Sequence, residues 1–149
     1  MNMIVSISQQ LADGGFNYNH PDHILDYLER LKVEQGETLI QQGDPADSLY
    51  FIEEGTMSVQ LVTGGTRFVR LKSLGSGTVV GEIGFYLNSP RTASVIADTP
   101  AVVYKLTRVA LQLMQEKEPG LALAFHEYMA RMLSERLQYT TRTLEASLR

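Results

Sequence analysis

The chain has 149 residues, 44% of them hydrophobic, and a formal net charge of −4. That length and composition fit one globular domain with its own core, and the acidic balance argues against a general nucleic-acid surface. The absence of cysteine excludes disulfides and thiolate metal sites, and no apolar run approaches the roughly 20 residues that span a bilayer.

Residues 1–19 are weakly patterned. The start, Met1-Asn2-Met3-Ile4-Val5, has no basic region and no long apolar stretch, so a signal peptide is not expected. Gly14-Gly15 interrupts any helix. Asn19 or His20 is placed to cap a helix, with Pro21 and Asp22 in its first turn. Ile24, Leu25, Leu28 and Leu31 share one face at helical spacing, which predicts an N-terminal helical segment within residues 1–30. His20 and His23 stand three apart, but no third ligand is evident, so no metal site is expected.

From about Leu31 the pattern changes. Nine of the 12 glycines lie between Gly36 and Gly84, so this region is cut by frequent turns. Short strands are expected at 37–41, 48–53, 57–61, 67–71, 78–80, 92–97 and 101–106. Met57, Val59 and Leu61 alternate with polar residues as in a half-buried strand. Gly64-Gly65 is a hairpin signal, and Val69 and Leu71 are read onto one face of the returning strand. Short strands at this spacing point to a sandwich or barrel.

After Thr107 the period becomes helical. Thr107 is placed as an N-cap ahead of Val109, Ala110, Leu113 and Met114. Glu118-Pro119-Gly120 interrupts, and Pro119 starts a second helix carrying Leu121, Phe125, Tyr128, Met129, Met132 and Leu133 toward Leu144 and Leu148.

The stretch 81–95 carries the chemistry. It reads as a strand end, a glycine-flanked turn, one helical turn, a proline and a new strand. Glu82 is an acceptor beside Gly81, and Arg91 is a cation nine residues later, just after Pro90. Backbone N–H groups at a helix start attract an anion, and a guanidinium fork pairs with two phosphate oxygens. The carboxylate suits a ribose hydroxyl. Gly84 lacks a Cβ, so the backbone can approach a ligand closely.

Gly81-Glu82-Ile83-Gly84 followed by Pro90-Arg91-Thr92-Ala93 resembles the phosphate-binding cassette of cyclic-nucleotide-binding domains. The segment 43–52 resembles the early strands of that family, and the resemblance covers residues 31–136. It implies a mainly β fold in one domain over 1–149. An eight-stranded, jelly-roll-like β-roll spans 31–107 and contains a short cassette helix within 81–93, and two helices follow over 108–149. It implies a cyclic mononucleotide ligand, cAMP or cGMP, and no other cofactor. Phosphate and ribose contacts fall to Gly81, Glu82, Ile83, Gly84, Arg91, Thr92 and Ala93. Base contacts fall to Leu74 and Val80 from the roll and to Tyr128, Met129 and Met132 from the last helix. Methionines and aromatics at such spacing are otherwise core residues.

In that family a hydroxyl residue after the arginine is associated with acceptance of cGMP as well as cAMP, which is the position of Thr92. The plainer reading of Thr92 is a β-branched residue opening a strand. Gly84 stands where many members carry alanine. A cupin enzyme would place several histidines on its strands, yet residues 24–125 contain none. No nucleophile and base pair stands out either, so an enzyme is not expected. The chain carries no recognisable helix-turn-helix, kinase or channel segment, which leaves a stand-alone sensor or one piece of a larger protein. Residues 77–87, with 129–137 and 141–144, resemble the C-terminal cyclic-nucleotide-binding-like domain of some bacterial SulP-type anion transporters. That resemblance implies a cytoplasmic module behind a membrane domain and a STAS domain. The competing expectation is an interaction or structural domain with a vestigial pocket, against which the intact Glu82 and Arg91 argue.

Overall fold

A computed structural model describes Leu11, residues 16–65 and residues 67–148. The expectations placed on Met1–Val5 and on Gly14-Gly15 lie outside the described residues. The first element is a 3-10 helix, Pro21–Tyr27. Eight strands follow: β1 (Glu29–Val33), β2 (Thr38–Ile40), β3 (Ser48–Glu54), β4 (Met57–Thr63), β5 (Arg67–Leu74), β6 (Val79–Val80), β7 (Ser94–Ala97) and β8 (Ala101–Thr107). A short helix α1 (Glu82–Leu87) sits between β6 and β7, and α2 (Arg108–Lys117) and α3 (Pro119–Ser147) close the chain. The strands form two antiparallel sheets of four, ordered β1-β8-β3-β6 and β2-β7-β4-β5. This is the expected β-roll.

The period of two along β3 and β8 divides the interior into two cores. Leu49 and Phe51 of β3, with Tyr104 and Leu106 of β8, face a cluster built with Ile24, Phe85, Leu111, Met114, Leu121 and Phe125. Tyr50 and Ile52, with Ala101 and Val103, face the opposite way into the roll and meet Val33, Ile40, Met57, Val80 and Val95. Alternate residues of a strand point to opposite faces, so a nearly continuous apolar run serves both cores at once. The first sheet is thus a shared wall with helices on one side and the second sheet on the other.

The expected N-terminal helix ends earlier than its apolar spacing implies. It is 3-10 rather than α, His20 at its N-cap makes no side-chain capping bond, and Leu28 is already extended at φ −105°, ψ 146°. Leu25 and Leu28 pack on the helix-side core, whereas Leu31 lies in β1 and packs inside the roll. The strand wins because residues 29–33 pair along their whole length with β8, from Glu29 opposite Lys105 to Val33 opposite Ala101. Opposite charges across an antiparallel pair add to that preference.

Leu71 also departs from expectation. A register shift pairs Val59 with Lys72 and Gln60 with Arg70. Leu71 is thereby left at the irregularity and 53% exposed, while Val69 stays half-buried. The alternation along β4 is likewise incomplete, because Ser58 is buried under Asp98 and donates to its carboxylate at 2.7 Å.

Thr107 caps α2 through its Oγ1, which accepts the Ala110 N–H at 3.0 Å, satisfying one otherwise unpaired donor. The buried side of α2 is Leu111 and Met114, while Val109 and Leu113 face outward. Pro119 occupies the first turn of α3, whose buried residues end at Met129. Leu144 and Leu148 are exposed.

Candidate functional site

Where α1 meets the second sheet, there is an open cleft with a cavity volume of about 110 Å³. Ile40, Val59, Leu74 and Val95 form its apolar wall, with Val79 and Val80 beside them. Gly81, Glu82, Ile83, Gly84, Arg91, Thr92 and Ala93 form its polar lip. Lys72 from β5 and Arg136 from α3 complete the lining. All seven residues expected at phosphate and ribose therefore border one cleft, together with Leu74 and Val80.

Local backbone geometry explains the lip. Gly81 precedes α1 with φ +81°, a region that favours glycine. A Cβ there would also sit 2.7 Å from Arg91 Nη1. After α1, Asn88 reverses the chain in the left-handed region at φ 51°, which asparagine tolerates. The Arg91 N–H then donates to the Asp44 carbonyl, and the Arg91 carbonyl accepts the Gly43 N–H, each at 2.9 Å. The turn ahead of β3 thus clamps the arginine backbone.

The Arg91 side chain is 7% exposed. Its Nη1 donates to the Gly81 carbonyl at 2.8 Å, and its Nη2 to the Ser48 carbonyl at 2.7 Å. Ser48 Oγ lies 3.3 Å from the same Nη2. Burial lowers the pKa of the guanidinium, opposed by Tyr50, Asp47 and Glu82, yet an arginine keeps its charge. Five donors in a rigid fork exceed the bonds already made, so the fixed cation retains donors for an anion in the cleft.

Glu82 is 9% exposed and faces the same space. Its Oε1 accepts from Arg136 Nη1 at 2.8 Å, and Arg136 Nη2 donates to the Val79 carbonyl at 3.1 Å. The last helix thus reaches the cleft through a residue the sequence reading did not single out. Tyr128, Met129 and Met132, expected to cap a base, are absent from the lining. Met129 is 1% exposed in the helix-side core, Met132 packs against that core, and Tyr128 stands edge-on to Phe16 at 6.3 Å. The reason is helical geometry. Positions 129, 132 and 136 fall on one stripe, which is core as far as Met132 and meets the cleft at Arg136, about one turn later.

Gly84 also has a packing reason. A Cβ there would lie 2.6 Å from the Ala46 Cβ and 3.0 Å from the Ser89 carbonyl. The missing methyl makes room for Ala46.

Arg108 was also missed. Its Nη2 donates to the Ala46 carbonyl at 2.9 Å and the Phe85 carbonyl at 2.7 Å. Its guanidinium lies 4.6 Å from the Phe85 ring centroid, a cation–π arrangement. Arg108 therefore ties the first residue of α2 to the cassette helix. On the outer side, Tyr86 and Gln115 hydrogen-bond the two ring nitrogens of His126 at 3.2 and 3.1 Å, and burial lowers the His126 pKa. No sequence pattern marks these contacts, since they join separate elements.

Residues 30–118 match the family model described as cyclic nucleotide-binding domain. The chain belongs to that family. A cAMP-dependent protein kinase regulatory subunit of Yarrowia lipolytica is 33% identical to the domain over 107 residues, which are 72% of this chain and 27% of that protein. Glutaminase 2 of Bradyrhizobium diazoefficiens is 37% identical over 102 residues, 68% of this chain and 16% of that protein. The domain thus spans under a third of either relative. Among solved structures, a cyclic nucleotide-binding domain from Methylobacillus flagellatus superposes with a TM-score of 0.82 at 19% identity, covering 95% of this chain and 84% of that one. That likeness shows the shared fold. Among the described residues, no helix of the domain is long and apolar enough to cross a membrane.

Proposed function

We propose that the domain binds a cyclic mononucleotide, cAMP or cGMP, as a regulatory ligand. The phosphate is held by Arg91 and the N–H groups of the cassette, the ribose hydroxyl by Glu82, and the base rests against Leu74 and Val80. The observation that carries this reading is the buried Arg91, fixed by Gly81 and Ser48 at the lip of a cleft that also holds Glu82. Thr92, exposed at the lip, is the residue through which cGMP is accepted alongside cAMP. Binding rather than catalysis is the proposed role, which the match of residues 30–118 to the cyclic nucleotide-binding model supports.

Arg136 on Glu82 supports signalling through the C-terminal helices. A ribose hydroxyl seeking Glu82 competes with Arg136, so ligand and α3 share one acceptor. A ligand shifts a conformational equilibrium only through such differential contacts. Titrating cAMP and cGMP by calorimetry and thermal unfolding tests the reading. Ligand at 100 times its dissociation constant adds roughly 2.7 kcal/mol of stability. No shift with either nucleotide would instead favour a vestigial pocket serving as an interaction or structural domain, a reading that the occupied Glu82 also supports.

The resemblance of residues 77–87, 129–137 and 141–144 to the SulP-type module supports a cytoplasmic setting behind the membrane part of an anion transporter. Anion uptake by a membrane domain carrying this module then responds to the cyclic nucleotide. Uptake indifferent to both nucleotides would remove that setting.

A further inference from the structure

The N-terminal 3-10 turn carries a cluster that the nucleotide cleft does not use. A 3-10 helix has three residues per turn, so side chains at i and i+3 eclipse one another. His20, the N-cap residue just ahead of that turn, stacks on His23, with ring centroids 4.9 Å apart and planes 15° from parallel. Asp22 belongs to the same turn. A ring nitrogen of each histidine and a carboxylate oxygen of Asp22 all lie within 4.8 Å of one another. The third ligand that the sequence did not reveal is therefore Asp22, the residue just before His23.

A second observation sets the chemistry of His23. Its Nδ1 lies 3.0 Å from Glu118 Oε2. That carboxylate is itself fixed by the hydroxyls of Tyr18 and Tyr27, each donating at 3.1 Å. In the neutral imidazole, a proton on Nδ1 toward that carboxylate leaves the lone pair on Nε2. The same arrangement behind metal-bound histidines sets ring orientation and raises ligand basicity. His20 and Asp22 are exposed, so rotamer adjustment can bring the donors to the roughly 2.0–2.2 Å of a zinc ligand.

We propose that His20, Asp22 and His23 form a site for a divalent transition metal of the zinc class, with Glu118 positioning His23. Two imidazoles and one carboxylate suit zinc rather than magnesium or calcium, which take oxygen shells. Three protein ligands leave at least one position for water. The ion fastens more than the turn that binds it. Glu118 ends α2 and precedes α3, so the site joins the N-terminal segment to the junction of the two helices.

The test is calorimetry with Zn²⁺ and visible absorption with Co²⁺ on the metal-stripped full chain. The expected result is one equivalent of Zn²⁺, d–d bands with Co²⁺, and no competition from excess Mg²⁺. His20→Ala and Asp22→Asn abolish both signals while leaving the metal-free unfolding temperature unchanged. Glu118→Gln keeps the stoichiometry, weakens Zn²⁺ by roughly 10–100-fold and shifts the Co²⁺ spectrum. Tyr27→Phe, which removes one support of that carboxylate, moves affinity and spectrum the same way to a smaller degree. Absence of a Co²⁺ spectrum in the wild-type chain, or Zn²⁺ binding that survives His20→Ala and Asp22→Asn undiminished, would overturn the site. Unaltered affinity and spectrum in both Glu118→Gln and Tyr27→Phe would overturn the positioning role.

Discussion

Two arginines meet at the cleft from opposite sides and are held in different ways. Arg91, on the roll side, is bound by carbonyls of Gly81 and Ser48, and its own backbone is clamped to Gly43 and Asp44. Arg136, on the helix side, is held by one carboxylate and one carbonyl, and its side chain is 33% exposed. Bonds to buried backbone persist as long as the fold does. A partly exposed ion pair contributes little and is readily exchanged. Under the proposed function, the cleft therefore has a fixed half suited to recognition and a half suited to release.

The largest effect expected is at the fixed half. Arg91→Ala removes a charge-assisted fork worth on the order of 1.5–3 kcal/mol in binding. It also strips the Gly81 and Ser48 carbonyls of a donor, so the folded state loses stability as well. Arg91→Lys separates the two, since it keeps the charge without the fork. Calorimetry showing unchanged affinity in a folded Arg91 variant would dissolve the distinction between the halves.

Next comes Gly84→Ala, which forces a methyl against Ala46. Overpacking of this kind costs about 1–3 kcal/mol. Ala46→Gly in the same chain restores most of it, because the two sites share one contact. Denaturant unfolding of both singles and the double measures this. Simple additivity would mean that the fixed half tolerates the extra volume elsewhere.

Thr92→Ala is smaller and concerns selection. A neutral hydrogen bond to the guanine amine is worth roughly 0.5–1.5 kcal/mol, lost for cGMP and not for cAMP. Equal losses for both ligands would assign the hydroxyl to phosphate.

The smallest effect is at the releasable half. Arg136→Ala tightens nucleotide binding a few-fold by freeing Glu82. Weaker binding in that variant would make Arg136 a ligand contact rather than a competitor.

The sequence made the fixed half legible and the other half obscure for a physical reason. Glu82 and Arg91 lie within ten positions of each other, and the glycines and proline around them record the backbone that aims them. Arg136 is 54 positions from Glu82, and nothing local distinguishes it from neighbouring cations on α3. Most strands declared themselves by turns, but β1 was hidden because Leu31 fits the apolar spacing of the preceding helix. Tyr128, Met129 and Met132 were placed at the right end of the molecule on the wrong side of it. Periodicity identifies which residues share a stripe and not which surface the stripe meets. The packing of Gly84 on Ala46 joins segments 38 positions apart, beyond the reach of local pattern.

The length of α3 has a mechanical consequence. Its 29 residues make a rod of about 43 Å at 1.5 Å per residue, and its buried residues end at Met129. Under the proposed function, the remainder would act as a pointer pivoted near Glu118. Arg136 ties it to Glu82 part-way along, so a small tilt on loss of that tie would be magnified toward Ser147. A 10° tilt sweeps a tip about 43 Å from the pivot through roughly 7 Å. Under the proposed function, exchange at the Glu82 carboxylate would thereby become a displacement as large as a side chain, at a place well away from the cleft.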